Sequence, residues 1–268
     1  MTGMLLDGKS AVIMGSGSGV GRASALRFAE EGAKVVVADV DLDRAKETVR
    51  LVEAAGGTAV ADRCDVSKEA DVESTIALAV STFGRLDIVF NNVGVPTPRP
   101  GLIFEEHTSE DFDRLFAINA KGVFLGSKHA IKQFKAQGGG GVILNTGSVA
   151  GLVSWGGSVY GSTKGAVHQL TKAAAIEGAP FDIRCNAICP AGMPYTNFTN
   201  AMGMTVSEED KEQMASGVGS MHPLGRPILA EDCAEAAVYL VSDMAKNVTG
   251  ALLPVDGGNL ALNAGGTI

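Results

Sequence analysis

The sequence reads Gly15-Ser16-Gly17-Ser18-Gly19-Val20-Gly21 between two apolar segments near its N-terminus. Lys9–Met14 before it predicts a buried strand, and Val20–Glu31 repeats apolar residues at the helical period. A glycine turn between strand and helix lets the backbone approach a pyrophosphate, which the helix N-terminal amides then face. We therefore predict a dinucleotide-binding turn. Its candidate cofactor contacts are Gly15, Ser18, Gly19 and Val20.

An acidic residue follows at a diagnostic distance. Asp39 ends the second predicted strand, Lys34–Ala38, and lies 18 residues past Gly21. An acid near this spacing bonds the ribose hydroxyls in dinucleotide-binding units. Such a carboxylate repels a 2′-phosphate, and Val40 and Asp41 follow instead of Arg or Lys, so NAD is favoured over NADP. A plain turn and a solvated loop acid are the alternatives when either feature is taken alone.

Strands and helices alternate along the rest of the chain. Further strands are predicted at Thr58–Ala61, Leu86–Phe90, Val142–Leu144, Ile183–Ile188 and Leu252–Val255. Further helices are predicted at Asp43–Ala55, after an N-cap at Ser67, from an N-cap at Ser109 toward Phe116, and at Lys121–Ala136, Val159–Gly178 and Ala230–Ser242. This alternation predicts an α/β fold of Rossmann type, a doubly wound parallel sheet of about seven strands with helices on both faces. We expect residues 1–268 to form one domain, with a substrate-binding lid at about 190–227.

Composition excludes several classes of protein. The chain is 46% hydrophobic and 19% charged, as folded proteins are, and its net charge of −8 disfavours nucleic acid or an anionic membrane as a partner. No apolar run reaches the roughly 18 residues of a membrane span, and no secretory signal is visible. The cysteines show no CxxC pair and no zinc-ligand spacing, which predicts reduced, mostly buried thiols, no metal and a cytoplasmic protein. They are Cys64, Cys185, Cys189 and Cys233.

Tyr160 and Lys164 lie four residues apart, on one face of a predicted helix. A phenol with its ordinary pKa near 10 is a poor base at neutral pH. A nearby ammonium and an oxidised nicotinamide would lower that pKa. The phenolate could then accept a substrate hydroxyl proton while hydride leaves for the cofactor. Taken alone, the pair also fits an exposed Tyr and Lys on an amphipathic helix.

With these features the chain resembles the short-chain dehydrogenase/reductase family over essentially its whole length. Each matching motif is weak alone, but together and in this order they are specific. The motifs are the turn at 15–21, Asp39, Cys64-Asp65-Val66, Asn91-Asn92-Val93-Gly94, Asn119 in Ile-Asn-Ala-Lys-Gly, Ser148 in Gly-Ser-Val-Ala-Gly, Tyr160 with Lys164, Asn186-Ala-Ile-Cys-Pro190 and Val255-Asp-Gly-Gly258.

The resemblance implies catalytic roles. Ser148 would hold the substrate oxygen beside Tyr160, the acid/base. Lys164 would bond the nicotinamide ribose and lower the tyrosine pKa. Asn119 would anchor a water in a proton relay that reaches Lys164. Asn91 would have a structural role, tying strands together.

Further cofactor contacts follow from the same resemblance. They are Asp65 at the adenine with Val66 beside it, and Asn92, Gly94, Tyr160, Lys164 and Pro190 along the cofactor. The family has a Thr five residues past this proline, which contacts the nicotinamide carboxamide. Here Thr196 lies six residues past Pro190, so it is the candidate, with the register open by one residue.

Two departures from the family lie near the glycine turn. Met14 stands where the family usually has Thr, whose hydroxyl can tie the turn to the Asn-Asn strand. We expect this to cost a hydrogen bond of about 1 kcal/mol and not to change the chemistry. Val93 is bulkier than the usual Ala, and the two apolar replacements are expected to compensate each other by packing.

The predicted substrate wall is apolar. Five of nine methionines fall between 193 and 221, and methionine suits an adaptable apolar surface. Lys211 is the one basic residue in 190–220, so a highly anionic substrate lacks a clamp. We interpret the protein as an NAD-dependent oxidoreductase acting on a neutral secondary alcohol or ketone, alicyclic, steroid-like or terpenoid. Candidate substrate contacts are Ser148, Trp155, Tyr160 and Met193. Packing within the loop or against another subunit is the alternative for this surface.

Two other functions stay open. An acyl-carrier-protein-type 3-oxoacyl reductase would favour NADPH and a basic docking face, against Asp39 and the net charge, although Lys128, His129, Lys132 and Lys135 form a local basic cluster. A non-catalytic NAD-binding protein has no need of an intact catalytic set. The resemblance also implies a homotetramer, built on the two long helices and the C-terminal strand.

Overall fold

The computed structural model describes residues 3–98, 101–153, 156–194 and 215–262. Its strands are β1 (Ser10–Met14), β2 (Lys34–Asp39), β3 (Thr58–Arg63), β4 (Ile88–Asn91), β5 (Gly141–Thr146), β6 (Ile183–Pro190) and β7 (Leu252–Val255). They form one seven-stranded parallel sheet in the order β3-β2-β1-β4-β5-β6-β7. The order reverses between β1 and β4, where doubly wound sheets bind ligands. The predicted Rossmann-type sheet is confirmed.

Helices cover both faces of this sheet. One layer contains α1 (Gly19–Glu30), α2 (Leu42–Ala54) and α7 (Ala230–Val241). The other contains α3 (Glu69–Phe83), α5 (Lys121–Gln137) and α6 (Ser158–Gly178), with the short α4 (Ser109–Leu115) leading into α5. Each layer buries its own apolar cluster against the sheet.

Single strands supply both clusters because successive side chains point to opposite faces. In β1, Ala11 and Ile13 pack toward α1 and α7, whereas Val12 and Met14 pack toward α3 and α5. All four side chains are fully or almost fully buried. The continuous apolar runs seen in the sequence are therefore the mark of parallel strands covered on both sides.

Two predicted helix caps are wrong by one residue. Thr108, and not Ser109, caps α4: its hydroxyl accepts the Asp111 N–H, and the Asp111 carboxylate accepts the Thr108 N–H. This reciprocal pair satisfies two amides at once, which Ser109 could not do. Lys68, and not Ser67, is the N-cap of α3, because the Ser67 hydroxyl donates to the Asp65 carboxylate instead.

A π-helical turn, Phe116–Ala120, joins α4 to α5. The sequence predicts two separate helices here, whereas the structure shows one continuous helical run with this turn in its middle. π turns are uncommon and occur often at functional sites. The buried Asn119 lies within it.

Further expectations from the sequence concern the cysteines, membrane-spanning helices, metal sites and the lid. All four cysteines are free and buried. Within the described ranges, no helix is long and apolar enough to cross a membrane, and no group of three or more His, Cys, Asp or Glu could hold a metal ion. Of the predicted lid, residues 195–214 lie outside the described part of the chain.

Candidate active site

The glycine turn is closely packed on itself. A Cβ at Gly21 would lie 2.1 Å from the Gly15 carbonyl oxygen, so only glycine allows this approach. Gly15 also has a positive φ of 76°. Ser18 is the N-cap of α1 but makes no capping hydrogen bond with its side chain. The amides of the first turn therefore have no side-chain acceptor from their own cap, which suits a pyrophosphate at this helix end.

Asp39 is fixed beside this turn at the end of β2. Its Oδ2 accepts the Gly17 N–H at 2.9 Å, and its Oδ1 accepts the Asp41 N–H at 3.0 Å. The two nearby guanidinium groups are engaged elsewhere: Arg44 Nε pairs with Asp41 Oδ2 at 3.1 Å, and Arg22 donates to the Gly17 carbonyl. The structure thus places the Asp39 carboxylate beside the glycine turn, while both guanidinium groups contact other partners.

Asp65, the predicted adenine contact, is oriented by its own turn. Its Oδ1 accepts the Ser67 hydroxyl at 2.7 Å and the Ser67 N–H at 3.1 Å, and Lys68 Nζ lies 3.5 Å from Oδ2. The Ser67 hydrogen bond lowers the pKa of this carboxyl. Val66 beside it is buried. Contact with adenine stays a prediction for both residues.

Met14 and Val93 line the same small apolar recess under the glycine turn. Both belong to one apolar cluster, as expected for replacements that compensate by packing. The tie between turn and strand is present by another route. Asn92 Nδ2 donates to the Gly15 carbonyl at 3.0 Å, and Asn92 Oδ1 accepts the Thr146 hydroxyl at 2.8 Å.

Asn91 has the structural role that the resemblance implied. Its Nδ2 donates to Asn145 Oδ1 at 2.9 Å and to Ser127 Oγ at 3.3 Å, which joins β4 to β5 and to α5. Asn145 in turn donates to the Thr171 hydroxyl at 2.9 Å. A Cβ at Gly126 would lie 1.8 Å from Asn91 Oδ1, so α5 can pack over this amide only at a glycine.

Ser148 and Tyr160 come together at the carboxyl end of the sheet. Ser148 follows β5, where its hydroxyl accepts the Ala150 N–H at 3.1 Å and lies 3.4 Å from the Pro190 carbonyl oxygen. Tyr160 lies in the first turn of α6. Burial raises the pKa of the Tyr160 phenol to about 12, and its hydrogen bond with Ser148 acts in the opposite direction.

Lys164 is the buried cation of this site. Lys164 is only 2% exposed, and its Nζ donates a hydrogen bond to the Thr146 carbonyl at 2.8 Å. Nζ lies 5.8 Å from the centroid of the Tyr160 ring. Burial lowers the pKa of Lys164 to about 8. A Cβ at Gly94 would lie 3.3 Å from Nζ and 3.9 Å from Asn119 Oδ1, so these residues share one corner.

The Asn119 side-chain amide connects the loop after β4 to α6. Its Oδ1 accepts the Val95 N–H at 2.8 Å, its Nδ2 donates to the Val95 carbonyl at 2.9 Å, and Nδ2 also donates to the Thr163 hydroxyl at 3.2 Å. These bonds hold the loop after β4 against α6. The expected relay through a water at Asn119 stays a prediction.

The predicted substrate contacts are only partly described. Met193 lines a cleft of about 440 Å³ between the starts of α1 and α7, and its sulfur lies 3.8 Å from Cys233 Sγ. The structure therefore places Met193 on the glycine-turn side of the site, packed against the α7 core. Trp155 and Thr196, like Ser154 and Tyr195, lie outside the described residues.

Sequence reasoning missed several residues that support the site. The Thr146 carbonyl accepts a hydrogen bond from the Lys164 ammonium, and the Val95 backbone is the partner of the Asn119 amide. His168 lies behind Ser148 and touches Cys189. One signal was available: His168 follows Lys164 by four residues and therefore shares its helix face.

Known proteins resemble this chain over nearly its whole length. A family model described as enoyl-(acyl carrier protein) reductase matches residues 15–259. A 2,5-dichloro-2,5-cyclohexadiene-1,4-diol dehydrogenase of Sphingobium indicum is 41% identical over 254 residues, covering 94% of this chain and 96% of that protein. Secoisolariciresinol dehydrogenase of Forsythia intermedia is 37% identical over 262 residues, covering 97% of this chain and 91% of that protein.

Solved structures also resemble the chain. A 3-ketoacyl-(acyl-carrier-protein) reductase from Brucella melitensis, complexed with NADH, superposes with a TM-score of 0.82 at 37% sequence identity. The match covers 95% of this chain and 99% of that one. The likeness therefore extends over nearly the whole length of both proteins.

Proposed function

The chain belongs to the short-chain dehydrogenase/reductase family, and from that premise we propose that it is an NAD-dependent oxidoreductase interconverting a secondary alcohol and a ketone. The observation that carries this proposal is the meeting of Ser148, Tyr160 and Lys164 beside the glycine turn. A hydroxyl pair next to a buried ammonium is suited to moving a proton on and off a substrate oxygen.

Bound NAD would accept the hydride, and the protein's own groups would handle the proton. In alcohol oxidation, Tyr160 takes the hydroxyl proton while Ser148 donates a hydrogen bond to the same substrate oxygen. With a pKa of about 8, Lys164 is mostly cationic at neutral pH, and a fixed ammonium favours the phenolate. Burial raises the tyrosine pKa to about 12 despite the hydrogen bond with Ser148, and the positive charge of an oxidised cofactor beside the phenol would lower it.

Asp39 supports NAD as the cofactor. Its carboxylate is held next to Gly17 and would both bond ribose hydroxyls and repel a 2′-phosphate. The structure from Brucella that resembles this chain holds NADH. We assign the turn at 15–21 to the pyrophosphate, Asp65 and Val66 to the adenine, and Asn92 and Gly94 to the cofactor's path.

A neutral alicyclic alcohol is the proposed substrate class. One relative is named for a cyclohexadiene diol and another for secoisolariciresinol, and both are dehydrogenases. We further propose that the chain is one domain with a lid at about 190–227. We expect a cytoplasmic homotetramer whose interfaces include α5 and α6, where Phe124 and Ile176 are 47% and 75% exposed.

A 3-oxoacyl reductase acting on an acyl carrier protein is the second candidate. The family-model description and the Brucella structure favour it. The local basic cluster, which the sequence offers in its favour, is partly neutralised in the structure. Lys128 Nζ lies 2.6 Å from Glu69 and Lys132 Nζ lies 3.1 Å from Glu73, so acidic side chains of α3 pair with two of the charges that would attract an acidic carrier.

The test is a screen for NADH formation with NAD or NADP and a panel of alicyclic, steroid, terpenoid and polyol alcohols. Tyr160→Phe should lose turnover by about 10²- to 10⁴-fold while keeping NADH affinity. Tyr239→Phe, a change at a half-exposed tyrosine of α7, is the matched control and should keep both. Turnover only with an acyl-carrier thioester and NADPH would favour the second candidate.

If the wild-type protein binds NADH but turns over neither the alcohols nor the acyl-carrier thioester, the result would favour the non-catalytic alternative. Turnover with NADP and not with NAD would contradict the assignment of Asp39.

A further inference from the structure

A buried histidine lies directly behind Ser148. His168 is only 4% exposed, and its Nε2 is 3.4 Å from the Ser148 backbone nitrogen and 3.4 Å from Cys189 Sγ. It sits on α6 one turn after Lys164. The imidazole therefore touches Ser148, the second residue after β5, and Cys189, the penultimate residue of β6.

The surrounding backbone is shaped to hold this ring. A Cβ at Gly147 would lie 2.6 Å from His168 Nε2 and 2.9 Å from Cys189 Sγ. A Cβ at Gly151 would lie 2.7 Å from His168 Cε1. The absence of side chains at Gly147 and Gly151 therefore leaves room for the imidazole next to Ser148.

The hydrogen-bond donors around the ring fix its tautomer. The Ser148 N–H can only donate, and it donates to His168 Nε2 at 3.4 Å and to Cys189, whose thiol keeps its proton because burial raises its pKa to about 12. Burial also lowers the pKa of His168, which is neutral near pH 7. Nε2 must then accept and Nδ1 must carry the proton.

That tautomer also fits the other side of the ring. Nδ1 is buried, and a hydrogen bond with the Gly151 backbone raises the pKa of His168 against the effect of burial, which favours a proton on the ring there. The imidazole thus contacts backbone at Ser148 and at Gly151, on either side of the turn that carries the Ser148 hydroxyl. An apolar side chain of similar size could make neither contact.

We propose that His168 is a positioning residue of this site, whose unprotonated Nε2 holds the Ser148 backbone and the Cys189 thiol and thereby aims the Ser148 hydroxyl at Tyr160. The Cys189 contact matters because Pro190 follows it, and the Pro190 carbonyl is the neighbour of the Ser148 hydroxyl. His168 thus joins the ends of β5 and β6 at one point. This inference rests on the proposed function.

The experiment compares three substitutions in the full-length protein with an alcohol that the wild type oxidises. His168→Leu removes the acceptor and should lower kcat by about 10- to 100-fold, because small misplacements of a reacting group have effects of this size. Its NADH dissociation constant should stay within about twofold of wild type. His168→Gln can place an amide oxygen near the position of Nε2 and should restore kcat to within about threefold of wild type.

His129→Gln is the matched control, because His129 is also buried on a helix of the same layer but pairs with Glu69. It should leave kcat unchanged. Should His168→Leu fail to fold by circular dichroism, His168→Met takes its place. Nitrogen NMR of the histidines, assigned with His168→Gln, should show His168 neutral with its proton on Nδ1.

Wild-type kcat in a folded His168→Leu or His168→Met variant would overturn the inference while leaving the proposed function intact. A proton on Nε2 in the NMR spectrum would overturn it as well. A wild-type protein that is silent toward every alcohol would overturn the proposed function, and the positioning role with it.

Discussion

The Lys164 ammonium donates a 2.8 Å hydrogen bond to the Thr146 carbonyl and lies 5.8 Å from the centroid of the Tyr160 ring. The charge is therefore held by backbone at the end of β5, and Lys164 forms no salt bridge with any residue that the structure describes. The ammonium acts on the buried groups around it, lowering the pKa of both Cys189 and His168 against or beside the effect of burial.

Replacing Lys164 with Met should stabilise the protein at pH 7 while abolishing turnover. The lysine pKa falls from its ordinary 10.5 to about 8 on folding, so the unfolded chain binds the proton more tightly. The native state therefore carries a penalty of about 3 kcal/mol below pH 8, which disappears as pH rises from 8 to 10.5. Urea unfolding at pH 7 and at pH 10 should show the gain of Lys164→Met shrinking between them. A variant less stable than wild type at pH 7 would contradict this.

Asp39→Ala should change the cofactor preference. Losing a charge-assisted hydrogen bond to the ribose costs about 1.5–3 kcal/mol, which is roughly a 10- to 100-fold loss in kcat/KM for NAD. Removing the repulsion toward a 2′-phosphate should raise the NADP-to-NAD ratio by about tenfold or more. Steady-state kinetics with both cofactors measures the two effects.

Asp43→Ala is the control for that experiment, because it removes the same charge from the first turn of α2. The Asp43 side chain is 95% exposed and its carboxylate lies 3.8 Å from Lys46 Nζ. Its loss should change stability by less than about 1 kcal/mol and leave the cofactor ratio unchanged. An equal change of ratio in both variants would mean that Asp39 has no special role.

Gly126→Ala should be strongly destabilising, since its Cβ would overlap Asn91 Oδ1 at 1.8 Å. We expect a loss of several kcal/mol, about the range for buried overpacking together with a broken polar contact. The double variant with Asn91→Ala should be more stable than the sum of the two single effects predicts. Additive effects in this cycle, measured by urea unfolding, would contradict the close packing of α5 over β4.

Alkaline pH should destabilise the native state through the buried thiols. Burial raises the pKa of Cys64 to about 11 and of the other three to about 12, against an ordinary 9.0. Their contribution to stability is full below pH 9 and is lost as pH rises toward those values. Four thiols losing about 1.4 kcal/mol each per pH unit outweigh the opposite effect of one lysine.

Urea unfolding at pH 8, 9.5 and 10.5 tests this expectation. Cys185→Ala should show a smaller decline with pH than the wild type, because it removes one of the four groups. A decline of equal slope in both proteins would place the alkaline sensitivity elsewhere.

The fold was predictable because its signals are periodic and local. Continuous apolar strands, helix periods and a glycine turn between them specify a parallel sheet without long-range information. The errors lie where side chains choose between neighbouring partners. Ser67 and Thr108 illustrate this: each cap depends on which backbone amide an oxygen reaches, and spacing alone does not decide it.

The site was predictable to a lesser depth. Ser148, Tyr160 and Lys164 form a motif whose geometry follows from one helix and one loop. The contacts that support these three residues could not be predicted in this way, because they join segments that are distant in sequence. Thr146 and Lys164 meet only when β5 packs against α6, and Cys189 meets His168 only when β6 does. The π turn at Asn119 has no pattern of its own in the sequence.

The position of β1 in the middle of the sheet has a consequence for how this chain folds. One edge of β1 pairs with β2, the next strand in the sequence, whereas the other edge pairs with β4, which is synthesised much later. The Ser10 N–H finally donates to the Asp87 carboxylate across 77 residues of sequence. During synthesis, a half-made sheet therefore presents an open apolar edge until β4 leaves the ribosome, and contacts this far apart fold slowly. We expect fragments that end before β4 to aggregate and the intact chain to refold over milliseconds to seconds or longer.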